Sequence, residues 1–350
     1  MADTARLVDV ASVSHHEGDI VDLLESELAS LDHLELVRVG DNLVARTTLG
    51  RPNRLILGGH VDTVPPHGND AARLEGDVCW GLGSADMKGA LAVYLDLARR
   101  VVEPAVDVTY VFYAREEVAL EHSGLRELAE ARPDLLGGDV ALLGEPTGGA
   151  LEAGCQGSVR VRVVVRGERA HTARAWTGRN AIHRLADVLA VVREHEPRRP
   201  EVEGCRYHEA LPAVAIEGGV AGNVVPDEAS VTVAYRFAPD RDPAQAEAWL
   251  RALLGRVLEP DDEIVVTDVA PPARPGLDHP LVRRLVERHG VEVRAKLGWT
   301  DVAFFAERGV PASNFGPGDP LVAHTAREHV TRDQLMGVHA ALADLLAHGA

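Results

Sequence analysis

The chain alternates short, wholly apolar runs with longer stretches of helical spacing, and several of the apolar runs end in histidine or carboxylate. RLILGG leads into His60 and Asp62, VTYVFYA into Glu116 and Glu117, and VALLG into Glu145. A short apolar run bounded by glycine or charge reads as a strand buried on both faces. Such strands alternating with helices predict a mostly parallel sheet covered on both sides. In an open sheet of this kind the carboxyl ends of the strands form one crevice. Three strands delivering polar side chains there make a constellation rather than isolated charges.

The first part of the chain follows this plan. DIVDLLESELASL (19–31) has helical spacing, and LELVRV and NLVARTTL bracket Gly40-Asp41, a hairpin signal. GALAVYLDLARRV and GLRELAEA read as helices. The character changes near Gly157, where SVRVRVVVRG alternates with period two. A long helical pattern follows (GRNAIHRLADVLAVVREHE), then the strands LPAVAIEGGV and ASVTVAYRF, the helix AQAEAWLRALLGRVL and the strand EIVVTDV. This is the β-α-β-β-α-β order of a ferredoxin-like unit. After the proline-rich APPARPG, strand and helix alternate again. A compact unit spanning 157–270 is thus expected to interrupt an α/β domain made of 1–156 and 271–350.

Composition narrows the function classes. Lys and Arg number 36 against 54 Asp and Glu, a formal charge of −18. A chain this acidic is not expected to seek nucleic acid or an anionic membrane, and it suits cations, including metals. No run approaches 18 apolar residues, so no transmembrane helix is expected. Asp3, Asp9, Glu17 and Asp19 in the first twenty residues argue against a secretory signal. The three cysteines, Cys79, Cys155 and Cys205, form no CxxC pair, which excludes a disulfide framework and a cysteine-type zinc finger. A cytoplasmic location is expected.

Asp86 lies between a glycine-rich loop (WGLGSAD) and the helix starting near Met87, and His324 lies just before the final helix. With His60, Glu117 and Glu145 they make an oxygen- and nitrogen-rich set without thiolate, which suits zinc or a neighbouring transition metal. Taken singly, each has a plain structural reading: Asp86 as a helix cap, Glu116 and Glu117 as a solvated strand end, LGEPT as a turn, His324 as one of 16 histidines.

Jointly the motifs say more. HVDTVP, WGLGSADMKG, AREEV, LGEPT and HTAREHV occur in the order and at the spacing of the M20 family of metallopeptidases and amidohydrolases. The chain resembles that family over essentially its whole length. Within it, CQGSVRV followed by RAHTARAWTGRNAIHRL is most similar to the actinobacterial-type succinyl-diaminopimelate desuccinylases. The resemblance implies an α/β, zinc-dependent exopeptidase-like catalytic domain with a mostly parallel sheet, plus an inserted ferredoxin-like dimerisation or lid domain. It implies two zinc ions per chain, with cobalt an acceptable substitute. Asp86 would bridge them, His60 and Glu145 completing one site and Glu117 and His324 the other. Asp62 would hydrogen-bond the His60 imidazole and fix its tautomer, and Glu116 would act as general base.

The resemblance also assigns substrate contacts. His171 (RAHTARA) would stabilise the oxyanion, entering the partner's site in a homodimer joined through the insert. Asn223 and Arg236 match positions that bind the substrate's carboxylate end, and Gly298 and Thr300 match a loop lining the acyl pocket. Better-known desuccinylases of the family carry a basic residue just before the Gly-Ser of the hinge strand, where this chain has Cys155 and Gln156. Arg174 and Arg179 are expected to supply that charge instead. Lys88, beside Asp86, is expected to be supporting or solvated rather than catalytic. The implied reaction is hydrolysis of N-succinyl-LL-2,6-diaminopimelate, a small-molecule substrate, to succinate and LL-2,6-diaminopimelate. The alternatives are another N-acyl-amino-acid deacylase, such as an acetylornithine deacetylase or aminoacylase, and a catalytically dead binding homologue.

Overall fold

The computed structural model describes residues 1–350. The chain divides into two units, one made of Met1–Gly154, Pro275–Ala295 and Asp301–Ala350, the other of Cys155–Arg274 and Lys296–Thr300. The main seams therefore fall at 154/155 and 274/275, where the sequence suggests 156/157 and 270/271. The short segment carrying Gly298 and Thr300 groups with the inserted unit rather than with 271–350.

The first unit is built on an eight-stranded sheet. Its strands run, edge to edge, Glu35–Val39, Asn42–Arg46, Asp107–Tyr113, Arg54–His60, Val140–Leu143, Ala312–Asn314, Leu151–Ala153 and Val293–Ala295. Arg54–His60 is flanked in parallel by Asp107–Tyr113 and Val140–Leu143, and Ala312–Asn314 extends the parallel set. The sheet is mixed at its margins. The hairpin of the first two strands turns at Gly40 (φ +56°) and joins antiparallel, as do Ala312–Asn314 and Leu151–Ala153.

The apolar runs are strands because both their faces are covered. Leu55, Leu57, Val108, Tyr110, Phe112, Val140 and Leu142 share one core with Leu91 and Leu95 of the helix Gly89–Arg100 and with Leu342 and Leu345 of the helix Arg332–His348. The alternate residues Ile56, Val111, Ala141 and Leu143 are buried as well. Two glycines let the loop bearing Asp86 press against the strand ends. A Cβ at Gly59 would lie 2.6 Å from Met87 Cε, and one at Gly144 would lie 2.5 Å from Ala90 Cβ. A side chain at Gly59 would have to displace the ends of Met87 and Leu91, and one at Gly144 would crowd Ala90 at the start of the helix.

In the second unit, Ala213–Gly218, Glu228–Phe237, Gly157–Arg166 and Glu263–Ala270 form a fully antiparallel four-stranded sheet in that spatial order. The two later-paired strands thus flank the first, as the ferredoxin-like topology requires. The helices Ala181–Glu194 and Pro243–Leu254 bury Leu185, Val188, Leu250 and Leu254 against Val161, Val163, Val231 and Val233. Both helices start on side-chain caps: Asn180 accepts from the amides of Ile182 and His183, and Asp242 forms a capping box with Gln245. The edge strand Ala213–Gly218 is exposed along its whole length, including Val214 and Ile216.

One ion pair ties three elements of this unit together. Asp262 has no exposed side-chain surface, and it accepts from Arg184 Nη1 and Nη2 at 2.8 and 2.6 Å. It also accepts from the amides of Arg166 and Glu259, each at 2.8 Å. Burial alone would raise the Asp262 carboxyl, but the Arg184 guanidinium and the two amides outweigh it and hold it below the usual carboxylate range. Because the folded-state pKa is depressed, this contribution is present above the unfolded value of about 4 and fades as pH falls through the folded one. Breaking a buried pair typically costs about 3–5 kcal/mol. Asp262→Ala is therefore expected to lower the unfolding free energy by about 3 kcal/mol at pH 7. Denaturant titrations of both proteins at neutral pH and near pH 3 should show the difference shrinking in acid.

Candidate metal centre

Three parallel strands end side by side, and the chain leaves each carrying a ligand-type side chain. His60 is the last residue of its strand, Glu145 lies two residues beyond Leu143, and Glu116 and Glu117 follow the turn after Tyr113. That turn is made at Arg115, whose φ of +61° is left-handed. Its side chain is held by the His122 carbonyl at 2.7 Å and by Glu127. The turn points the amides of Glu116 and Glu117 at one acceptor, the Asp62 carboxylate, at 3.0 and 3.1 Å.

Asp86 reaches the same edge from the irregular turn before the helix Gly89–Arg100. One of its oxygens lies 3.0 Å from His60 Nε2 and the other 3.6 Å from His324 Nε2. His324, itself at a left-handed φ of +59°, is also 2.7 Å from Glu117. The potential ligand atoms of His60, Asp86 and Glu145 all lie within 4.8 Å of one another, and so do those of Asp86, Glu117 and His324. Glu116 falls in a third such group with His60 and Glu117. The five residues expected to ligate are thus gathered into two triads that share Asp86.

The charges fit a cation. The His60 ring faces the Asp62 carbonyl through Nδ1 at 3.0 Å and the Asp86 carboxylate through Nε2, and both are acceptors only. A positively charged ring would satisfy both. Burial opposes this, but Asp62 and Asp86 overcome it and raise His60 well above its ordinary value. The hydrogen bond with Glu117 raises His324 to about 9 despite partial burial. Divalent ions would satisfy the same carboxylates. With Nδ1 donating to a carbonyl, Nε2 is the nitrogen free to ligate. Glu116 is raised by burial and by the negative charge of Glu145, Asp301 and Glu117.

Residues 56–348 match the model of peptidase family M20/M25/M40. The chain belongs to that family. Over 328 residues it is 48% identical to a Mycobacterium tuberculosis protein provisionally named a succinyl-diaminopimelate desuccinylase, covering 93% of this chain and 92% of that one. Over 350 residues it is 41% identical to the succinyl-diaminopimelate desuccinylase of Corynebacterium glutamicum, covering 98% and 95%. Among solved structures, the aminopeptidase PepT of Bacillus cereus superposes with a TM-score of 0.80 at 19% identity, covering 99% and 96%. The Bacillus subtilis protein YXEP, described as a dinuclear metal-binding peptidase of the M20 family, superposes with a TM-score of 0.73 at 15% identity, covering 99% and 96%. The M20 chain is a hydrolase of a metal-dependent family, and no helix in it is long and apolar enough to cross a membrane.

Asp62 differs in detail from expectation. Its carboxylate is 3.5 Å from His60 Nδ1, farther than its own carbonyl. The closer partners of the carboxylate are the Ser14 hydroxyl at 2.7 Å and the two glutamate amides. Burial would raise this carboxyl, but His60, the Glu116 amide and Ser14 hold it at about 2. Asp62 therefore organises the Glu116–Glu117 turn as much as the imidazole. Lys88 is buried, donates to the Val10 carbonyl at 2.8 Å and is lowered by burial to about 8, which is a supporting place.

The second unit brings some of the expected substrate contacts together. His171 pairs with Val224 across a short ladder, and the Asn223 carbonyl accepts from Thr172 N at 3.1 Å. The exposed His171 ring accepts from Ala173 N through Nδ1 at 3.0 Å, so its neutral form carries the proton on Nε2 as a donor. Arg236 alternates with the buried Tyr235 and Phe237, and its guanidinium forms no ion pair within the chain; neither does that of the exposed Arg174. Both terminal nitrogens of Arg179 pair with Glu259 on the surface. Gly298 is exposed, while Thr300 is buried and its carbonyl faces Cys155 Sγ at 3.9 Å. Gln156 is buried and donates to the His208 carbonyl at 2.9 Å. Neither hinge residue supplies a substitute charge.

Sequence reasoning missed Ser14, Asp301 and Glu328. Asp301 is buried, and burial pushes its carboxyl up to about 6 against the lowering influence of Tyr113 and His60. Ser14 and Glu328 lie in polar stretches, SVSHHE and HTAREHV, whose periodicity carries no signal. Asp62→Ala, which removes the acceptor for both glutamate amides, is expected to weaken divalent-metal binding about 10- to 100-fold. Ser14→Ala removes one contact and should do less. Competition with a chromophoric chelator measures both.

Proposed function

We propose that the chain hydrolyses N-succinyl-LL-2,6-diaminopimelate to succinate and LL-2,6-diaminopimelate at a dinuclear zinc centre. The observation that carries this reading is the pair of ligand triads sharing Asp86, with Glu116 alongside. The likeness to the actinobacterial desuccinylases over nearly the whole chain supports the substrate. His60 and Glu145 would hold one ion and Glu117 and His324 the other, with Asp86 common to both. Two zinc ions bound there would polarise the amide carbonyl and make water acidic near neutral pH.

The remaining work belongs to side chains. Glu116, a carboxylate held among like charges, accepts a proton from the attacking water and returns it to the leaving amine. Water is consumed, the amide C–N bond breaks, and one carboxylate and one amine are released. His171 Nε2–H donates to the carbonyl oxygen as negative charge develops on it. Arg236, with no carboxylate of its own, pairs with a carboxylate of the substrate. The succinylated substrate has three carboxylates and one ammonium, so unpaired arginines favour it over acetylornithine.

Kinetics decide the matter. N-succinyl-LL-2,6-diaminopimelate should be turned over with a higher kcat/KM than N-acetylornithine, and chelation should abolish activity. Glu116→Gln should lower kcat at least ~10²-fold while the protein keeps its metal. A preference for acetylornithine would overturn the substrate. Near-normal turnover by Glu116→Gln would overturn the assigned base.

The bare edge of the inserted sheet suits pairing with a second copy, and we extend the proposal to an isologous homodimer in which His171 serves the partner's site. His171→Ala and Glu116→Ala should each be nearly inactive alone. Random mixing makes half the dimers mixed, each with one of two sites restored, so about a quarter of wild-type activity should return. No recovery after verified subunit exchange would reject the shared site.

A further inference from the structure

We infer that Glu328 is a positioning residue that sets the bridging carboxylate of Asp86 against His324. The inference rests on the dinuclear reading above. Glu328 belongs to HTAREHV, four residues after His324, and is 1% exposed. Its Oε1 accepts from the amides of Ala85 and Asp86, each at 3.0 Å. Its carbonyl accepts from Gly81 N at 3.1 Å, and its own amide donates to the Thr325 carbonyl at 3.1 Å. Main chain and side chain thus grip the Asp86 loop at both ends. The next residues, His329–Thr331, pair antiparallel with Val78–Trp80 and fix the register of that grip.

The loop needs an outside acceptor. Asp86 and Met87 have non-helical φ/ψ inside the turn Ser84–Lys88, and Gly81 and Gly83 precede it with positive φ. A buried amide left without an acceptor costs free energy. One carboxylate oxygen satisfies two such amides here. Glu328 is absent from every group of converging ligand atoms, so it does not compete for the ions. It acts through Asp86, whose side chain leaves the very residue whose amide it holds. The segment that carries His324 therefore also fixes the loop that carries Asp86, which ties together two of the three ligands of the second triad.

The test uses the full-length protein and asks whether reach or charge matters. Glu328→Asp keeps the charge and withdraws the acceptor by one methylene. Glu328→Gln keeps the reach and one carbonyl oxygen for both amides. Zinc affinity by chelator competition, the thermal midpoint of the metal-stripped protein, and kcat and KM are measured for each. Glu328→Asp should bind zinc about 10- to 100-fold more weakly, with kcat falling more than KM changes. Glu328→Gln should retain most of the affinity. Weaker binding by Glu328→Gln than by Glu328→Asp would overturn the inference. So would wild-type zinc affinity in Glu328→Asp alongside a lowered thermal midpoint, since that is a purely structural role. If the active wild-type protein binds no zinc, the dinuclear reading fails first and this one falls with it.

Discussion

The Asp86 carboxylate is shared, one oxygen facing His60 and the other His324. Around it stand Glu116, Glu117 and Glu145, so four carboxylates meet at the edge of one sheet. Two like charges 4 Å apart repel by about 4 kcal/mol at the effective dielectric of a protein surface. The imidazoles of His60 and His324 stand among these carboxylates, and positive charge there offsets the repulsion. Much of the neighbouring architecture can be understood as holding these groups still against their repulsion. Gly59 and Gly144 admit the Asp86 loop to the strand ends. Arg115 makes the turn that aims two amides at Asp62.

The buried carboxylates that do not ligate share a device. Asp62 accepts from the amides of Glu116 and Glu117 through its two oxygens, and Glu328 accepts from those of Ala85 and Asp86 through Oε1 alone. A charge-assisted bond to an amide fixes the backbone from which the functional side chain springs. That is stiffer than a contact to the side chain itself, because it leaves the side chain's own oxygens free for a ligand.

What was legible in the sequence follows from how local each signal is. His60, Glu116, Glu117 and Glu145 were legible because apolar runs end abruptly in polar residues, and parallel strands must finish at a common edge. The ferredoxin-like order was legible because its strands and helices change period along the chain. Ser14 and Glu328 were not, because each meets its partner from far away in sequence and inside no periodic element. Arg179 shows the converse. A cation at a helix start suggests an anionic partner, and it has one, but the anion is Glu259, 80 residues further on. Asp62 was found for its spacing from His60, while its closest partners proved to be Ser14 and two amides.

The pairing of Arg179 with Glu259 sharpens the question of selectivity. In the inserted unit Arg166, Arg179, Arg184 and Arg198 are all committed to carboxylates of the chain. Arg236 and Arg174 are not. On a chain of net charge −18, a substrate with three carboxylates is disfavoured at long range. Screening confines that repulsion to about 8–10 Å at physiological salt, so recognition must come from cations that touch the substrate. An arginine already paired must give up one carboxylate to take another and gains little by the exchange. An unpaired one gains the full charge-assisted fork. Selectivity for a polyanionic substrate therefore depends less on how many arginines the insert contains than on the few it leaves unpaired, among them Arg236 on the strand Glu228–Phe237.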